Sequence, residues 1–409
     1  MHSDPGASPP ANLIPLCVPE IRGQEWSYVK QCLDTNWVSY VGPYVDRFER
    51  ELATRSGARF AVATSSGTAA LHIALLLAGV GDNDEVVMPG LTFIAPAHAV
   101  RYCGAWPTFT DIRTDDWHWD VEQVAAFLAQ GCERRAGKLV NRVTGRRIAA
   151  LLPVHLLGGM GDVDAVAELA SRYQLPIVED AAECLGATFR GRPIGAPSAA
   201  YRGPFRLVIT SFNGNKLITT GGGGAIFTDD EQLARHAKHL TTTAKAGKLE
   251  FFHDEIGYNY RLTNIAAAMG VAQLERLDEY VATKRQIGVR YHQAFSAVPG
   301  WMAHPEPRHC ASTFWMYTLR LDREAHPLID TLNAAGVMSR PLWQPLSRQP
   351  ALHANCFVHD VSNCNELYLK GLSLPCSVGL TANQQTTVVA AVHGWLTAQP
   401  LSRQLHCPS

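Results

Sequence analysis

The sequence has no surplus of either charge: 36 lysines and arginines stand against 37 aspartates and glutamates. Without a basic field there is no general attraction for nucleic acid or for an anionic membrane surface. No apolar run approaches the roughly 18 residues that suggest a membrane span. The opening MHSDPGASPP lacks both the basic and the apolar region of a secretion signal, so cytoplasmic residence is the expectation. Ten cysteines are present, yet the closest pair is Cys356 and Cys364, so no C-x2-C ligand spacing occurs. No metal site is expected, and the thiols read as reduced and structural. A G-x-G-x-x-G after a strand is also missing, which leaves a nicotinamide enzyme with little support.

What is present is a chain of 409 residues, 46% hydrophobic and 18% charged. Single cores stop growing at roughly 250 to 300 residues, so two domains are expected. Residues 1–12 are rich in Pro, Ser and Gly and read as a flexible leader, 13–255 as a large domain and 256–409 as a smaller C-terminal one. From about residue 58 the runs ARFAVAT, DEVVMP, RIAALLPV, LPIVED and RLVITSF alternate with helical stretches such as GTAALHIALLLAG and DVDAVAELASRY. That alternation predicts an α/β fold with a mostly parallel sheet flanked by helices. Beyond residue 255, Leu277, Tyr280, Val281, Ile287, Tyr291 and Phe295 recur at helical spacing, followed by strand-like FWMYTLRLD and GVMSRPLWQP.

Three short elements carry chemistry. VATSSGTAALHIALLLAG sets Ser65, Ser66, Gly67 and Thr68 between an apolar strand and a long apolar helix. Free N–H groups, the helix dipole and small hydroxyl side chains at such a junction attract phosphate, and an ordinary Ser or Thr N-cap is the alternative. LPIVEDAAE ends a buried strand on Glu179 and Asp180, at the carboxyl edge where open α/β sheets hold ligands. A carboxylate buried there needs a cationic or N–H partner, which a ligand or a helix N-terminus would supply equally well. Lys216 lies just past RLVITSFNGN and just before LITTGGGG. A lysine whose proton is displaced attacks carbonyls to form a Schiff base, whereas an isolated lysine is ordinarily a solvated charge. The four glycines alone mark a flexible loop or a backbone lying close against something.

Taken together the three elements match the demands of one cofactor, pyridoxal 5'-phosphate. Its phosphate needs a helix N-terminus, its aldehyde a lysine, and its ring nitrogen an anion that keeps it protonated.

EDAAECLGA, SFNGNKLITTGGGGAI, GYNYRLTNIAAAMGVAQL and SRPLWQPL together resemble the DegT/DnrJ/EryC1/StrS sugar aminotransferases, pyridoxal phosphate enzymes of fold type I. The likeness runs from IPLCVPEIRGQEW to LSLPCSVGLT and is strongest to the branch serving legionaminic acid and bacillosamine synthesis. It implies Lys216 as the Schiff-base lysine and Asp180 as the partner of the pyridine nitrogen. It implies Ser66, Gly67, Thr68 and Ser211 around the phosphate, Phe93 stacked on the ring face, and Glu183 beside the 3-hydroxyl. Asn259 is implied to reach the phosphate from the partner subunit of a homodimer with shared active sites. His155, in LLPVHLLGG, matches a position near the site or is a packed histidine. One departure stands out: between Gly195 and Ser211 the chain reads APSAAYRGPFRLVIT, where the family has a compact Gly-Asp segment.

The function so implied is transfer of an amino group from glutamate to a nucleotide-linked 4-keto-6-deoxy sugar, with UDP-2-acetamido-2,6-dideoxy-4-hexulose as the acceptor. No nucleic acid or membrane partner is expected. Two alternatives remain. A sugar dehydratase of the same family resembles a variant with histidine at the lysine position, which Lys216 disfavours. A pyridoxal-binding regulator carries a DNA-binding helix-turn-helix, for which the short leader has no room.

Overall fold

In a computed structural model of the chain, which describes residues 13–247 and 250–398, each apolar run becomes a strand of one sheet. The expected leader, 1–12, lies outside the described residues. The runs give β1 (Phe60–Thr64), β2 (Glu85–Pro89), β4 (Ile148–Leu151), β5 (Ile177–Asp180) and β6 (Arg206–Ser211), joined by β3 (Trp106–Thr110), β7 (Gly224–Thr228) and, from far down the chain, β10 (Phe357–Val358). Their order is β1-β7-β6-β5-β4-β2-β3-β10. The pairs from β6 to β10 are parallel, while β7 runs antiparallel to both neighbours, with Phe60 opposite Thr228 and Ser211 opposite Gly224. β2, β4, β5 and β7 are buried at every position. Such strands have no solvent face to alternate with, so their sequences read as continuous apolar runs.

Helices α1 (Glu25–Asp34), α2 (Pro43–Ser56), α3 (Gly67–Leu77), α4 (Ala95–Tyr102), α5 (Val163–Tyr173) and α6 (Glu231–Thr241) surround the sheet. α3 is apolar almost all round and packs on β6 and β7, which a helix at the centre of a core requires. α7 (Asn264–Leu274) packs on α1 and α2. The predicted long helix follows as α8 (Leu277–Phe295), burying Leu277, Tyr280, Ile287, Tyr291 and Phe295 on the expected stripe. A second, antiparallel sheet holds β8 (Tyr317–Arg320), β9 (Arg340–Pro341) and β11 (Gly371–Leu374) in the order β8-β11-β9. Its core unites Tyr291, Phe295, Leu319, Leu372 and Leu374 with Val388 and Val392 of the helix Ala382–Ala398. We propose 13–255 and 256–409 as the sequence extents of the two units, with α7 and β10 of the second stretch packed back onto the first. Among the described residues no helix is long and apolar enough to cross a membrane.

The segment that departs from the family, 196–210, folds around two side chains. The Tyr201 hydroxyl lies 2.9 Å from the Leu175 carbonyl oxygen and 2.7 Å from that of Phe205. Arg206 donates to the carbonyls of Ala196 (2.8 Å) and Ile194 (3.0 Å). The altered lead-in thus ends in a regular β6, with Ile209 in register with Asp180.

Candidate active site

The parallel strands all deliver their carboxyl ends to one edge, and a cavity of about 490 Å³ opens there. Its wall begins at the junction of β1 and α3, where Ser66 caps the helix by accepting a hydrogen bond from Ala69 N–H at 3.0 Å. The cap and the cavity wall are therefore one residue, and the two readings of the Ser-Ser-Gly-Thr stretch coexist. Gly67 and Thr68 line the cavity beside it. The end of β6 lies tight against this junction, since a Cβ on Gly67 would stand 2.9 Å from that of Ser211. β7 is closer still: a Cβ on Gly224 would come within 2.6 Å of the Gly67 nitrogen. The last of the four glycines is thus fixed by backbone approach, and Gly221 by its φ of +80°. Gly222 and Gly223 line the cavity.

Two carboxylates of different surroundings stand side by side at the end of β5. Glu179 is held by Arg206 through two hydrogen bonds of 2.6 and 2.8 Å, and lies 3.2 Å from His155 Nε2. Burial works to raise its carboxyl, but the guanidinium and the imidazole overcome it and hold the group at about 2. Asp180 faces the cavity. It accepts a hydrogen bond from Ala182 N–H at 2.9 Å, and burial raises its carboxyl above the ordinary value despite that bond and the Lys216 charge. Three residues on, Glu183 also lines the cavity and accepts from Leu157 N–H at 2.7 Å. Burial pushes it up to about 7, with Lys216 the chief opposing influence. His155, bound at Nε2 by Glu179 and approached at Nδ1 by Gly161 N–H (3.3 Å), belongs to the packed set behind the strand and does not line the cavity.

Lys216 sits at the tip of the loop joining β6 to β7. Its backbone N–H closes a turn on the Asn213 carbonyl at 2.9 Å, and Phe212 N–H pairs with the Gly223 carbonyl at 2.9 Å, so the loop shuts behind the lysine. The Nζ is 3.5 Å from Glu183 Oε1 and 3.9 Å from the centre of the Trp315 ring. Phe93, 53% exposed, lines the same cavity.

The structure therefore brings Ser66, Gly67, Thr68, Phe93, Asp180, Glu183, Ser211 and Lys216 around one cavity. Asn259 is apart: it is exposed, does not line the cavity, and pairs through its backbone with Thr242. Nor does it cap α7, because Thr263 fills that place by accepting from Ala266 N–H at 3.3 Å. Sequence reasoning missed the wall contributed by the second unit, namely Trp315, Met316, Arg340, Trp343 and Ser373. All but Ser373, which lies in LSLPCSVGLT, fall in the runs FWMYTLRLD and SRPLWQPL, where ends of β8, β9 and β11 meet the cavity, but nothing local marks them as facing it.

These residues fit pyridoxal phosphate. The cavity offers a helix N-terminus ringed by hydroxyls, with Gly67 on its wall packed against Ser211 and Gly224 too closely for a Cβ on either glycine. It also offers two buried carboxylates without a guanidinium partner and one amine.

Comparison with known proteins agrees. The model of the DegT/DnrJ/EryC1/StrS aminotransferase family matches residues 19–393. The chain is 36% identical over 387 residues to a GDP-perosamine synthase of Caulobacter vibrioides, covering 93% of this chain and 97% of that one. It is likewise 36% identical to a putative pyridoxal phosphate-dependent aminotransferase, EpsN, of Bacillus subtilis, covering 92% and 94%. Among solved structures, DesV of S. venezuelae in complex with a ketimine intermediate superposes with a TM-score of 0.82 at 29% identity, covering 92% of this chain and 95% of that one.

Proposed function

Because the chain belongs to the DegT/DnrJ/EryC1/StrS aminotransferase family, and is thus a pyridoxal phosphate-dependent aminotransferase of fold type I, we propose that it aminates a nucleotide-linked 4-keto-6-deoxy sugar with glutamate as donor. The acceptor in this reading is UDP-2-acetamido-2,6-dideoxy-4-hexulose. The observation that carries the reading is the convergence of Lys216 with two buried, underpartnered carboxylates beneath the N-terminus of α3.

The bound cofactor supplies an aldehyde that captures amines and a ring that takes up an electron pair. Lys216 is the amine that would hold it and, when free, would move the proton between the donor α-carbon and the cofactor's C4′ carbon. Asp180 would present its carboxylate to the ring nitrogen and keep it protonated, and Glu183 would stand at the ring's 3-hydroxyl. Ser66, Gly67, Thr68 and Ser211 would hold the phosphate with N–H and hydroxyl donors at the positive end of α3, and Phe93 would stack on the ring.

Asn259 acts in the neighbouring site of a homodimer. Its exposure away from its own cavity and the occupied cap of α7 support this. Mixing the inactive variants Lys216→Ala and Asn259→Ala under subunit exchange restores about a quarter of wild-type activity if the site is shared, because half the dimers are hybrids with one intact site each. No recovery despite tag-confirmed exchange removes Asn259 from the partner's site.

A second acceptor is favoured by the relative named GDP-perosamine synthase, which points to a GDP-linked keto-sugar. Mass spectrometry of products from a panel of UDP- and GDP-linked 4-keto sugars, with glutamate as donor, decides between them. Amination of none of the panel overturns the nucleotide-sugar reading.

A further inference from the structure

Behind the cavity lies a lysine with no role in the chemistry above. Lys284 on α8 is 1% exposed, and among the described residues no carboxylate lies within ion-pair distance of it. Its Nζ donates instead to two backbone carbonyls, those of Trp315 (2.7 Å) and Cys376. A buried ammonium paired only with carbonyls is costly, and for stability alone an apolar side chain of similar length would serve as well or better. What Lys284 achieves is placement. It joins α8 to the residue two before β8 and to the residue two after β11.

Trp315 is thereby held at both ends. Its carbonyl is fixed by Lys284, and its indole N–H donates to the Asn215 carbonyl at 2.6 Å, which Cys17 Sγ also approaches at 3.1 Å. Asn215 immediately precedes Lys216, and the Trp315 ring covers the Lys216 amine at 3.9 Å. We infer that Lys284 is a positioning residue that sets the reactive amine of Lys216 by clamping Trp315 over it. The second unit thus supplies the wall that aims the nucleophile of the first. The inference rests on Lys216 being the reactive amine, but its test does not need transamination.

The test is a double-mutant cycle on the cofactor-free full-length enzyme, reading the rate at which acetic anhydride acylates Lys216, quantified by peptide mass mapping with exposed Lys30 as internal control. Removing the ring in Trp315→Leu uncovers the amine and forfeits the attraction of the ring face for it, so acylation at Lys216 rises about three- to thirtyfold. Lys284→Met raises it in the same direction by a smaller factor. The variant carrying both changes matches Trp315→Leu alone, because Lys284 acts through that ring. An unchanged Lys216 rate in Lys284→Met overturns the inference, and so do factors that multiply in the double variant. Should Lys284→Met fail to fold, Lys284→Gln takes its place in the cycle under the same two overturning outcomes. Failure of the proposed function would show separately, as an acylation cycle that behaves as described in an enzyme that aminates no nucleotide sugar.

Discussion

Glu179 and Asp180 are neighbours on one strand, both buried, and electrostatically opposite. Strand geometry sends their side chains to opposite faces. On the far face Glu179 meets Arg206 and His155 and is a finished ion pair. On the cavity face Asp180 and Glu183 receive backbone N–H groups and one lysine, too little to offset their burial. A protein that needed carboxylates only for its fold would complete both faces alike. The incomplete face is the one that a ligand completes in the proposed function.

The harshest way to break this contrast is Lys216→Ala. It removes the amine the incomplete face serves, and turnover should fall by about four orders of magnitude or more. Cofactor should still bind without a covalent link. Borohydride reduction and peptide mapping of the wild type check the assignment, and label on a different lysine defeats it. Next comes the finished face. Glu179→Gln strands Arg206 in the core, so urea unfolding should show a loss of about 3–5 kcal/mol, the cost of halving a buried pair. Asp180→Asn sharpens the contrast from the other side: kcat should drop by about two to three orders of magnitude, while the unfolding midpoint is not lowered. A destabilised Asp180→Asn with intact turnover would mean that the roles of the two carboxylates are exchanged.

The mildest test is pH. Glu183 titrates at about 7 in the fold against an ordinary 4.5, so between those values the folded state binds more protons than the unfolded one. Its contribution is complete below 4.5 and is lost as pH rises through 7, a change of about 3 kcal/mol at most. Asp180, also raised, acts with the same sign from 3.8 upward. Glu179, held at about 2, has the opposite sign: its contribution is present above 4.5 and disappears as pH falls toward 2. Unfolding of the cofactor-free enzyme at stepped pH should therefore show stability falling from pH 5 to 8 on account of the cavity face. Glu183→Gln should flatten that slope, and Glu179→Gln should leave it in place.

The strands whose apolar runs are continuous, β1, β2, β4, β5 and β6, were legible because burial on both faces writes itself into sequence. β10 was not, since two residues cannot carry a period and its pairing with β3 depends on more than 240 intervening residues of folded chain. The candidate site was legible where residues adjoin a strand end or a helix start, as with Ser66, Asp180 and Lys216, which line one cavity. Trp315 and Arg340 were not, because their meeting with the cavity is decided by how β8, β9 and β11 dock. His155, read either as near the site or as a packed histidine, contacts Glu179 behind the strand and is off the cavity wall.

β1 has a single partner in the sheet, β7, and Phe60 must wait for Thr228. At a synthesis rate of about 5–20 residues per second, the interval on the ribosome is roughly ten to thirty seconds. α2 packs on β1 at once, but its face toward α7 waits longer. β1 and the faces of α2 and α3 that later partners cover are therefore born with an unpaired edge, the condition in which nascent polypeptides are most exposed to chaperones and to one another. Protease sensitivity of ribosome-arrested chains should persist at residue 222 and fall once residue 274 has cleared the exit tunnel; early protection would show that some transient partner takes the place of β7.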